Sequence, residues 1–177
     1  MTVLVRVLVA GMVALALASC SESTEPGPVL PPRPTSVPAD RVAPCAMLTP
    51  PQADRLQLYE SQPGGGVVDG RPSPGCTWLG SNIGYNIQFI PVGAEAAIPV
   101  PGSTITQVNG FGAVQNSPVI SGAPPICQLA VDIAPGQTVR VQANAVPDPP
   151  YGMDELCRRA RETASMVVDT VVATAPR

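Results

Sequence analysis

The chain has 177 residues, a net charge of −3 and no histidine, and all ten of its basic residues are arginine. Without His or Lys, imidazole triads, His-assisted thiol catalysis, imidazole metal sites and Ser–Lys pairs are excluded. The slightly acidic balance also excludes a strongly basic nucleic-acid surface and a polybasic membrane patch.

An apolar run from Val7 to Ala18 follows a single charge, Arg6, and closes on Leu17-Ala18-Ser19-Cys20. A charged start, a short apolar core and small residues before a cut site describe an export signal. The run falls short of the roughly 20 residues that span a bilayer. With cysteine at the cut, the tetrapeptide looks like a bacterial lipobox, in which Cys20 takes diacylglycerol on its sulfur and becomes the N-terminus. Residues 1–19 are therefore expected to be a lipoprotein signal peptide, leaving an extracytoplasmic protein anchored to the cell membrane through Cys20. Residues 21–43 are rich in Pro, Ser, Thr and Glu and lack the apolar side chains that offset ordering entropy, which predicts a disordered linker. In polyproline II, at about 3.1 Å per residue, it would reach roughly 70 Å.

Residues 44–177 read as one α+β domain. Thr49, Pro50 and Gln52 form a helix-start signal, and a short helix is expected over residues 50–59. The run Pro63-Gly64-Gly65-Gly66 lacks the Gly-Lys-Ser/Thr of a phosphate loop and reads as a flexible connection. Strands follow at Cys76-Thr77-Trp78-Leu79 and at Ile83, Tyr85, Ile87 and Phe89, the latter with period two. Residues 91–103 read as loop. Asn109-Gly110 marks a tight hairpin between residues 104–108 and 111–115. Cys127, Leu129, Val131 and Ile133 alternate with polar or small residues, as do Val139, Val141 and Ala143 beyond Pro135-Gly136, giving a hairpin with one wet face. Asp154 is expected to cap a final helix over 155–172, whose apolar stripe is Leu156, Ala160, Thr163, Ala164, Val167, Val168 and Val171. The predicted architecture is an antiparallel sheet of about five or six strands, with the short N-terminal and longer C-terminal helices packed on it.

With Cys20 lipidated, Cys45, Cys76, Cys127 and Cys157 remain, an even count that reads as two disulfides in an exported domain. Their isolation from one another argues against zinc, which favours paired short spacings. Cys45 and Cys157 each begin a helix, whereas Cys76 and Cys127 each begin a strand. The expected pairing is Cys45–Cys157 and Cys76–Cys127.

The lipobox, the Ser/Thr/Pro linker, Pro-Cys-x-x-Leu-Thr-Pro at residues 44–50, Gly-Cys-Thr-Trp at 75–78, Cys-x-Leu-x-Val-Asp at 127–132 and Asp-Glu-Leu-Cys at 154–157 form one pattern. It resembles the secreted lipoproteins of actinobacteria grouped as a domain of unknown function, the DUF3558 type. The resemblance implies attachment to the outer face of the cytoplasmic membrane and supplies no catalytic residues.

Asp69, Glu95, Asp132, Asp148, Asp154 and Glu155 are the carboxylates available for paired acid–base chemistry, which needs two of them about 5–10 Å apart in a cleft. Their scatter points away from an enzyme. Trp78 and Tyr85 offer sugar-stacking faces, but a lone Trp beside a disulfide cysteine reads more readily as core. Arg158, Arg159 and Arg161 can grip an anionic polymer, although such a run is ordinarily a helix's solvated side. The expected function is a non-enzymatic binding or accessory module of the cell envelope, without cofactor or metal, acting on an envelope protein or wall component. The alternatives are a carrier of a small apolar ligand held between sheet and helices, and a regulator restraining a membrane sensor.

Overall fold

A computed structural model describes residues 28–38, 41–146 and 151–174. The signal segment, Cys20 and Asp148 lie outside these residues. Seven strands form one antiparallel sheet: β1 (Leu58–Val68), β2 (Arg71–Gly80), β3 (Ile83–Ile90), β4 (Thr104–Val108), β5 (Phe111–Asn116), β6 (Ile126–Ala134) and β7 (Gln137–Ala145). Their spatial order is β1-β2-β3-β7-β6-β5-β4. Helix α1 (Pro50–Arg55) precedes the sheet, and α2 (Met153–Thr174) follows it and crosses β6 and β7.

The α+β class, the antiparallel sheet, the long C-terminal helix and two disulfides agree with the sequence reading, whereas the strand count rises from five or six to seven. The added strand is β1. It includes Pro63-Gly64-Gly65-Gly66, expected to be a flexible connection, and it takes residues 58 and 59 from the predicted first helix. That helix ends at Arg55, and Gln57 turns to φ 58° immediately after it. A Pro- and Gly-rich segment can pair here because β1 is an edge strand, hydrogen-bonded on one side only. Gly65 is required where it stands: its φ is +136°, and a Cβ would lie 2.4 Å from the Ser73 carbonyl oxygen. The turn into β2 is Asp69-Gly70, both at positive φ, the geometry that matches strand twist in a two-residue hairpin. Asn109-Gly110 repeats it between β4 and β5.

Period two sorts the sheet into two faces. Toward α2 stand Tyr85, Ile87, Leu129, Val131, Val139 and Val141, each essentially fully buried. They meet Leu156, Ala160, Ala164, Val167, Val168 and Val171, the predicted stripe of α2. The helix begins two residues earlier than expected, so Asp154 lies in its first turn instead of capping it, and the Leu156 amide donates to the Gly152 carbonyl. At the far end, the Gln52 amide of α1 donates to the Met166 carbonyl of α2.

The opposite face is only partly wet. A 3-10 turn at Ala94–Ala97, inside the predicted loop, covers Val114 and Ala130. Leu30 and Arg33, from the chain ahead of the domain, also lie here, so the described part of the expected disordered linker packs on the sheet. Farther along, the Val37 amide donates to the Ile133 carbonyl (2.8 Å), and Val37 and Val42 are buried in the main core shared with α2. Arg33 pairs with Asp132 at 2.6 Å. The segment passes so close to β5 that a Cβ at Gly112 would lie 3.0 Å from the Pro31 carbonyl oxygen. The valines spaced among the prolines are the apolar anchors that composition alone concealed.

The disulfides join Cys45 to Cys76 and Cys127 to Cys157, which overturns the expected pairing of Cys45 with Cys157 and Cys76 with Cys127. The reason is strand order. Between β2 and β6 lie β3 and β7, and three strand spacings amount to about 14 Å. Cysteines bridge only when their Cα atoms approach within about 7 Å. Each helix-proximal cysteine instead joins the strand beneath it.

Candidate functional site

The residues singled out from sequence do not assemble into a catalytic group. Trp78 is 3% exposed and Tyr85 is fully buried, so neither presents a stacking face. Burial pushes the Tyr85 hydroxyl upward in pKa, and the group lies beside Thr163 and Arg159 without a well-formed hydrogen bond to either. Asp69 sits on the β1–β2 turn, and Asp154 and Glu155 begin α2. Glu95 and Asp132 line one surface cavity together, but Asp132 is engaged by Arg33. Among the described residues, no group of three or more His, Cys, Asp or Glu is placed to hold a metal.

The arginines of α2 form a charge network on its outer side. Arg158 and Arg159 both donate to Glu155, at 2.7 and 2.8 Å, and Arg161 donates to Gln115. Glu162 accepts from Arg55 at 3.0 Å. The hydrogen bond from Arg158, reinforced by that from Arg159, holds the Glu155 carboxyl down at about 2. A depressed carboxyl contributes stability above its unfolded pKa, about 4.3, and loses it as pH falls through the folded value. The Glu155 carboxyl should therefore titrate near pH 2 by carbon-detected NMR. A midpoint near 4 would show that the pair does not form in solution.

The helix-free face supplies a different site, centred on Arg140 in the middle of β7. Its cross-strand neighbours are Gln88 on β3 and Ala130 on β6. Arg140 Nη2 donates to Gln88 Oε1. The Gln88 amide is fixed in turn, donating to both the carbonyl and the Oγ of Ser73 at 2.9 Å. Ser73 Oγ donates to the Phe89 carbonyl at 2.6 Å. The chain orients the guanidinium without neutralising it. Among the described residues no carboxylate pairs with Arg140, and its Nε is shielded from solvent without a partner. Burial pushes the Arg140 guanidinium downward in pKa, which is the sign of a charge removed from water.

Arg140 opens into a cavity of about 390 Å³ whose floor includes Gln128 and Thr138 and whose walls include Ile90, Val92, Ala97 and Val100. Thr138 Oγ1 donates to the Val92 carbonyl at 2.7 Å, holding the covering loop to β7. The sequence reading placed Arg140 on a wet strand face and assigned it no role. Alternation gave the face correctly, but the lack of a partner carboxylate depends on cross-strand register.

The fold and site define a small, doubly disulfide-bridged α+β domain: one antiparallel sheet, a long helix on one face, and a pocket lined by a half-buried arginine on the other. The chain belongs to the family described as Protein of unknown function (DUF3558), whose model matches residues 15–170. No curated protein and no solved structure matches it.

Proposed function

We propose that this protein is an actinobacterial lipoprotein, anchored through Cys20 to the extracytoplasmic face of the cell membrane and acting there as a non-enzymatic binding or accessory module. The observation that carries the reading is the pair of disulfides in a domain that follows Leu17-Ala18-Ser19-Cys20. Disulfides persist in oxidising compartments and are rare where thiols are kept reduced, so domain chemistry and export signal agree. The ordered segment also changes the expected working distance. Only seven residues separate Cys20 from Pro28, and at about 3.3–3.6 Å per residue they extend no more than roughly 30 Å. The module then works beside the membrane rather than deep in the wall. Its partner is an envelope protein or a small ligand near the bilayer, and the cavity at Arg140 favours the ligand as a second reading. The layer beneath α2 is filled by side chains such as Leu129, Val141 and Val167, so a carried ligand belongs on the opposite face.

Metabolic labelling with an alkyne fatty acid, followed by membrane fractionation, tests the anchor. The wild-type chain should carry the label and sediment with membranes, whereas Cys20→Ser should lose both properties. Retention of label by Cys20→Ser would overturn the anchor. Turnover of an envelope substrate that vanished on Asp132→Asn or Glu95→Gln would replace the binding module with an enzyme.

A further inference from the structure

We propose that the Arg140 pocket binds a monocarboxylate bearing a short aliphatic chain, with the carboxylate on the guanidinium and the chain along the apolar wall. This names a ligand class for the binding reading above and rests on it. A guanidinium partly withdrawn from water is stabilised by a counter-charge and by hydrogen bonds. Here Gln88 supplies a neutral acceptor to Nη2, and among the described residues no carboxylate pairs with the guanidinium. A guanidinium presents a planar fork of donors that matches the two oxygens of a carboxylate.

The pocket's composition sets the rest of the ligand. Ile90, Val92, Ala97 and Val100 offer aliphatic contact, and about 390 Å³ lies at the small end of ligand pockets, which span about 300–1,000 Å³. Among the described residues Arg140 is the only cationic side chain lining the cavity, and Asp69 lines it as well. One positive charge opposed by one carboxylate suits a monoanion and disfavours a phosphate dianion. Location agrees with the chemistry. Ala94 and Ala130, which line the pocket, belong to the small cluster against which Leu30 packs, so the cavity lies on the face where the anchor-proximal segment enters the domain. Amphipathic acids partition to the adjacent bilayer surface.

Isothermal titration calorimetry of the whole chain with sodium octanoate, 1-octanol and inorganic phosphate tests the assignment. Octanoate should bind at one equivalent, with 1-octanol and phosphate weaker by about tenfold or more, as expected for loss of a charge-assisted contact. Arg140→Gln should weaken octanoate by a similar factor and leave 1-octanol unchanged. Because Arg140→Gln disturbs a buried chain of hydrogen bonds, Val100→Trp provides an independent test. It fills the cavity from its exposed rim (Val100 is 38% exposed) and should abolish octanoate binding with the circular dichroism spectrum unchanged. Equal affinity for octanoate and 1-octanol, preference for phosphate, or octanoate binding unaffected by Val100→Trp would each overturn the proposal. Loss of octanoate binding in a chain that still sediments through Cys20 removes this ligand and leaves the anchored module standing. Binding by a chain that carries no lipid does the reverse.

Discussion

Non-reducing peptide mapping should recover Cys45 joined to Cys76 and Cys127 joined to Cys157, and removing the second bridge should cost about 3–4 kcal/mol. The magnitude follows from loop closure. The sequence separations are 31 and 30 residues, and in the chain-entropy model a loop of that length restricts the unfolded ensemble by about 3.7 kcal/mol at 25 °C. The Cys127–Cys157 bridge ties the start of β6 to the first turn of α2, so its loss acts where the helix docks on the sheet. In a domain of this size, Cys127→Ser combined with Cys157→Ser should lower Tm by about 10 °C or more, measured by calorimetry against wild type. A peptide joining Cys76 to Cys127 would contradict the strand order itself, because it would require β2 and β6 to be neighbours.

Replacing Trp78 with alanine should destabilise the domain by about 3–5 kcal/mol, the range for truncating a buried aromatic side chain. Trp78 is 3% exposed and stands opposite Tyr85 across the β2–β3 ladder. The two aromatic residues form a cross-strand pair on the α2 face, adjacent to the Cys45–Cys76 bridge. Tyr59 provides the contrast, at 69% exposure on the edge strand. Tyr59→Ala should change stability by less than about 0.5 kcal/mol. Urea unfolding of both variants separates the outcomes, and similar midpoints would show that Trp78 is not part of the core.

Legibility followed the range of the interaction. Strands β3 to β7 and the stripe of α2 were readable because each announces itself within a few residues, through period two, period 3.6 or Asn109-Gly110. Strand β1 was not, although Asp69-Gly70 beside Val67 and Val68 is the same hairpin signal. Three glycines and a proline outweighed it locally, and only the edge position makes them tolerable. The ordered segment at residues 28–38 failed for a related reason. Its few apolar side chains are too sparse to form a core, yet Val37 needs only a prepared surface and one free carbonyl on β6.

The candidate site shows the same division more sharply. Arg140, Gln88 and Ser73 lie on three strands and have no shared local pattern. Their alignment depends on β7 returning to pair with β3, and the missing counter-charge becomes visible only when every neighbour across the sheet is known.

By itself, the sequence determined the α+β class, two faces for each central strand, the oxidised state of four cysteines and the exclusion of imidazole chemistry. These depend on residue identity and on periods of two or 3.6 residues. Tertiary structure alone decided which cysteines meet, that a glycine-rich segment becomes a strand, and that one half-buried arginine has no carboxylate partner among the described residues. Those outcomes depend on which strands are neighbours, because spacings of about 4.8 Å across a sheet bring together residues that chain separation keeps apart.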